Sequence, residues 1–140
     1  MPNGRTHRKL GALAGGAAAL YHVRNEPLRT ACVETLGGIV GGVLGGMLPD
    51  RLDPPTSPRH RSAWHSLVLL VLLAFLVLEA QRRACRGRAH QAMRAALGGP
   101  QPTLESDAWL LASGFITGMQ WGYLSHLGAD LVTGKAGLPL

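Results

Sequence analysis

The histidines and aspartates of this chain fall, nearly all of them, at the ends of apolar segments. They form four clusters: His7; Asp50 and Asp53 in LPDRLDPP; His60 and His65 in HRSAWHS; and His126 with Asp130 in GYLSHLGAD. Imidazole plus carboxylate is the ligand mix of a hard-to-borderline divalent cation such as zinc or manganese. His126 and Asp130 stand four residues apart, so on a helix they project from one face, about one turn from each other. Asp50 follows Leu-Pro at a helix end, where a carboxylate can ligate a metal or take a proton from water. His65 opens an apolar segment and could reach a metal beside Asp50. His60 and Asp53 lie in a charge-rich loop, and Arg59 and Arg61 flank His60, where guanidinium groups could grip phosphate oxygens in bidentate fashion. Each of these residues also has a plainer reading as a polar group at a helix end or turn. His22 and His90 have no acidic company and are given no role.

Four apolar segments must position these clusters, at about 10–23, 31–48, 62–78 and 108–129. A membrane crossing needs roughly 20 apolar residues, with ~17 as a lower limit. By that measure the third and fourth segments qualify, the second is marginal, and the first is too short unless it is buried against partners. If all four cross, parity places every cluster on one membrane face: His7 precedes the first crossing, the Asp50–His65 region lies between the second and third, and His126 and Asp130 end the fourth. Lys and Arg divide evenly between the two sides, so charge bias does not say which face this is.

The second segment repeats Gly37-Gly38, Gly41-Gly42 and Gly45-Gly46. In water six such glycines weaken a helix by ~0.8–1.0 kcal/mol each relative to Ala. In a bilayer, the same stripe lets another backbone approach closely, and it is a candidate homo-oligomer contact over 37–46. A nucleotide loop is a poor reading, because no Lys-Ser/Thr follows GGIVGGVLGG. Pro49 and Pro54-Pro55 predict that the helix stops and a rigid extended loop follows. Beyond the third segment, RRACRGRAHQAMRAAL reads either as an interfacial helix on an anionic membrane surface or as a solvated connector.

At 140 residues the chain has room for one domain, 1–140. Its net charge of +6 suits anionic phosphate, whether nucleic acid or lipid headgroup. No nucleic-acid partner is expected, since the basic stretch lacks interleaved aromatics for base stacking. Cys32 and Cys85 define no disulfide framework or metal spacing. The expected architecture is all-α: an integral membrane bundle of about four helices with a metal site at one membrane face.

Taken together, the opening Thr6-His7, GGMLPD (45–50), HRSAWHS (60–66), GYLSHLGADLVT (122–133) and GLPL (137–140) resemble the YdjM-type inner-membrane proteins, described as metal-dependent hydrolases. The likeness covers nearly the whole chain. It departs at LPDRLDPP, where the family pattern has LPD, one residue, then Asp-His-Pro: Asp53 is shifted by one position and a proline replaces the histidine. A more distant likeness is to zinc-dependent phospholipase C and the P1-type nucleases. That likeness implies that Asp50, His65, His126 and Asp130 hold one metal and that Asp130 bridges to a second bound by His7. The further ligands of those enzymes have no counterpart before Leu140, so a site of one or two ions is implied, zinc first and manganese second. Asp50, Asp53 and His60 are then the candidate catalytic residues, with Arg59 and Arg61 for substrate.

The leading expectation is a multi-pass inner-membrane hydrolase acting on a phosphoester, such as a phospholipid headgroup, by metal-activated water. The alternative is a non-catalytic membrane protein whose metal site is structural and which acts in assembly or interaction. A metal-ion transporter is a third reading, and the lack of polar residues at the bilayer midplane argues against it.

Overall fold

In a computed structural model, residues 4–52, 64–95 and 101–132 are described, without the side chains of 51–52, 64–73 and 130–131. Every regular element among the described residues is helical: α1 (Gly4–His22), α2 (Leu28–Gly45), α3 (Leu48–Leu52), α4 (Trp64–Ala95) and α5 (Leu104–Val132). Asp53, Arg59, His60 and Arg61 lie outside the described residues. So do the side chains of His65 and Asp130, whose backbones belong to α4 and α5.

Local chemistry sets the helix ends. Pro27, with no backbone N–H to donate, separates α1 from α2 and occupies the N-cap of α2. Thr103 and Ser106 cap α5 reciprocally: the Ser106 amide donates to Thr103 Oγ1 at 3.1 Å, and the Thr103 amide donates to Ser106 Oγ at 2.8 Å. This is the logic of a capping box built from two hydroxyls. Pro49 sits in the first turn of α3, where a missing N–H costs nothing. Asp50 therefore stands on a short helical turn, whereas an extended loop was expected from the prolines.

Glycine decides the packing. α5 occupies the centre, with α1, α2 and α4 all packed against it, and α1 also packs against α2. A Cβ added to Gly11 or Gly15 would run into the backbone of α2 at Gly42 and Gly38, so α1 and α2 are antiparallel with their backbones in contact. Added to Gly114, Gly118 or Gly122, it would run into the backbone of α2 at Glu34, Gly38 and Gly42. The constant offset makes α2 and α5 parallel and in one register along their length. Gly37, Gly41 and Gly45 meet Leu111, Phe115 and Met119 of α5 in the same way. The backbones that the glycine stripe admits are thus those of α1 and α5 of the same chain, where a second copy was one expectation. Close approach between helices at small residues is the packing mode of bilayers, where apolar burial alone drives little association.

Two expectations about the segments change. Among the described residues one helix is long and apolar enough to cross a membrane, Leu28–Asp50, with mean hydropathy 1.6. The fourth segment, expected to qualify, does not, while most of the third lies among residues whose side chains are not described. Polar groups such as Ser113, Thr117 and Gln120, all buried, dilute the apolar character of α5. The third apolar segment and the basic stretch after it form one continuous helix, α4, in place of a span plus an interfacial helix. Nor are those arginines all solvated or turned to a lipid surface. Arg82 is buried and bidentate to Glu79 at 2.6 and 2.7 Å, Arg86 reaches Glu26 at 2.6 Å, and Arg88 lies over the Trp109 ring. Arg83 alone of the group paired with Glu79 is largely exposed.

Candidate metal centre

The parity expected from the sequence brings three clusters to one end of the bundle. α1 begins there, α2 and α3 end there, and α5 ends there. Ligand atoms of His7, Asp50 and His126 all lie within 4.8 Å of one another. His7 and His126 are buried, at 3% and 2% exposure, while the Asp50 side chain is 52% exposed. The two imidazoles stack, with ring centroids 4.0 Å apart and planes 27° apart.

Helix register explains the convergence. The antiparallel pairing of α1 with α2 carries Gly15 past Gly38 and Gly11 past Gly42, and the next turn sets His7 against Gly46. The parallel register of α5 on α2 carries Gly118 past Gly38 and Gly122 past Gly42, and the next turn sets His126 against the same Gly46. Both histidines therefore arrive at one glycine from two neighbouring helices, with their rings stacked. A side chain at position 46 would press on the His7 carbonyl at 2.7 Å.

Gly46 also orients the second imidazole. His126 Nδ1 lies 2.8 Å from the Gly46 carbonyl oxygen. A carbonyl only accepts, so Nδ1 donates to it, and Nε2 is the ring nitrogen that faces Asp50 Oδ1, 3.5 Å away. That separation is longer than a direct hydrogen bond. A cation between the two atoms would have one ligand on each side. Two ligands each ~2.0–2.1 Å from a tetrahedral zinc ion lie about 3.4 Å apart, close to the separation seen. The carbonyl behind His126 is the outer partner that ligating histidines commonly have. Donor types and the His126–Asp50 spacing fit a divalent metal, and the His7 ligand atom lies within 4.8 Å of the other two.

Of the five ligands expected from the sequence, His7, Asp50 and His126 are brought together. His65 is the second residue of α4, and Asp130 follows His126 by one turn of α5.

Sequence reasoning missed Gly46 as the orienting group and the glycines of α5. The signal was present: GFITGMQWG repeats Gly114, Gly118 and Gly122 at the same four-residue spacing as α2. It also gave no role to Glu34, which is fully buried in α2, accepts a hydrogen bond from Ser113 Oγ at 2.7 Å and lies 3.5 Å from Arg86. Just beyond the third apolar segment, Glu79 is held down to about 2, chiefly by its hydrogen bonds from Arg82 and despite partial burial, which acts the other way. The same pairing raises Arg82.

No curated protein and no solved structure matches this chain, so the likeness to zinc-dependent phospholipase C and P1-type nucleases is not shown. The family model of the YdjM inner membrane protein matches residues 1–140. With that match over its full length, the chain belongs to the YdjM inner membrane protein family.

Proposed function

We propose that this protein is a multi-pass inner-membrane hydrolase that cleaves a phosphoester, such as a phospholipid headgroup, with one or two divalent metals, zinc first and manganese second. The observation that carries the reading is the meeting of His7, Asp50 and His126, from three helices far apart in sequence. A divalent ion held there supplies Lewis acidity and makes hydroxide available from water near neutral pH. His126, fixed by the Gly46 carbonyl, holds its ligand edge toward Asp50. Asp50, half exposed, can accept a proton from water at the mouth of the site. Asp130 and His65 are the further ligands that the family likeness implies, and Asp53, His60, Arg59 and Arg61 are assigned to proton transfer and phosphate binding on the same ground.

The second reading is a structural metal in an assembly component. A structural site is closed by protein ligands, while a catalytic one keeps a position open. The exposure of Asp50 favours the catalytic reading. Metal analysis of the detergent-purified protein, followed by phosphodiesterase assays on wild type and His126→Ala, separates the two. Bound metal with hydrolysis that His126→Ala abolishes supports the proposal. Bound metal without hydrolysis of lipid or model diesters supports the structural reading, and a metal-free protein overturns both.

A further inference from the structure

Beside the candidate centre is a cavity that the metal reading does not use. Its volume is about 240 Å³, and it opens between α3, α4 and α5. Leu48, Ala74, Phe75, Leu78, Met119 and Tyr123 line it. Gln120 is buried beside it but spends its amide on the Phe75 carbonyl at 2.9 Å, which ties α4 to α5. What remains is an apolar wall. Ligand pockets for whole small molecules run from ~300 to 1,000 Å³. This one is smaller and suits part of a ligand.

Two walls of the cavity lead to the metal-ligating residues. Leu48 and Asp50 share the five-residue α3, and Tyr123 precedes His126 by one turn of α5. An occupant of the apolar space lies within one helical turn, along α3 and α5, of Asp50 and His126. It must be apolar at one end and carry, at the other, an anion that suits a cation-binding centre. In a family of inner membrane proteins a phospholipid has that form. We infer that the cavity between α3, α4 and α5 seats one hydrocarbon chain of a phospholipid whose phosphate lies at the His7–Asp50–His126 grouping. This inference rests on the hydrolase reading above and adds the substrate class: a lipid selected by its chain as well as by its phosphate.

The test uses the full chain in vesicles of phosphatidylethanolamine and phosphatidylglycerol doped with a phosphatidylglycerol that carries a photoreactive diazirine partway along one acyl chain. Cross-links are mapped by mass spectrometry. Labelling is expected to concentrate on Phe75, Leu78, Met119 and Tyr123 over Leu76 and Val77, which are exposed on the outer face of α4. Ala74→Trp, at the exposed rim, is expected to remove the cavity labels and leave those at Leu76 and Val77. In assays it is expected to raise KM for the long-chain lipid by about tenfold, the equivalent of shutting out two methylenes. Labelling spread evenly over cavity and outer face in the wild type overturns the inference, whatever the variant does. Cavity labelling without hydrolysis of any diester keeps the chain seat and removes the hydrolase reading. Hydrolysis with even labelling does the reverse.

Discussion

Gly122→Ala tests whether helix contact, and not the ligands alone, builds the proposed metal centre. Gly122 lies one turn before His126 on α5, facing α2. An added Cβ there would lie 2.9 Å from the carbonyl carbon and Cα of Gly42 and closer still to its carbonyl oxygen. All three atoms are backbone, and Gly42 is itself backed by Gly11 and Gly15 of α1, so α2 has little room to retreat. Restoring an ordinary 3.4 Å contact from 2.9 Å moves α5 off α2 by at least about 0.5 Å. The His126 Nδ1 to Gly46 oxygen distance of 2.8 Å then lengthens to about 3.3 Å, beyond the usual ~2.7–3.2 Å of an N–H···O bond. Overpacking of this kind costs ~1–3 kcal/mol. Helix propensity gives back up to ~1 kcal/mol, and the weakened buried hydrogen bond takes about the same again. The net expectation is a loss of ~1–3 kcal/mol together with weaker metal retention. Gly87→Ala is the control, because nothing lies within 4 Å of its added Cβ; it gains up to ~1 kcal/mol. Thermal unfolding in detergent and metal content per chain measure both variants. A Gly122→Ala protein as stable and as metal-loaded as wild type would refute the reasoning.

Arg86→Ala takes the guanidinium away from Glu26 and from the fully buried Glu34 and is expected to cost ~1–3 kcal/mol; the double variant Glu34→Gln/Arg86→Met recovers part of it, as a double-mutant cycle in detergent would read. Glu79, held near 2 by Arg82 and then Arg83 against an ordinary 4.5, stabilises the fold fully above about pH 4.5, and that stability is lost as the pH falls toward 2. Glu79→Gln is therefore less stable than wild type at pH 7, and the gap should close on acid titration of the melting temperature. If the proposed site binds zinc, the ion at about one hundred times its dissociation constant is expected to raise unfolding stability by ~2.7 kcal/mol, chelation to reverse the gain and Asp50→Asn to shrink it; an identical response in the variant excludes Asp50 as a ligand.

The all-helical bundle was legible from the runs of apolar residues and the prolines between them, because helix formation and termination are local. The convergence of His7, Asp50 and His126 was legible too, though only as parity. An even number of crossings returns polar ends to one side whatever the packing. Sequence periodicity also exposed the glycine stripe of α2, since a four-residue repeat is a property of one helix. What the repeat meets is a property of two. Gly37 to Gly46 could have faced a second copy, and only the tertiary structure turns them to α1 and α5. The same holds for the arginines of α4. Charge alone suggested a surface, and the pairing of Arg86 with Glu26 and Glu34 depends on which elements dock beside α4. The distance between His126 and Asp50 belongs to this second class. Residue types and order along the chain fix which groups can reach one end of the bundle. The register between helices, set by backbone contact at glycine, fixes whether they stand close enough to share a cation.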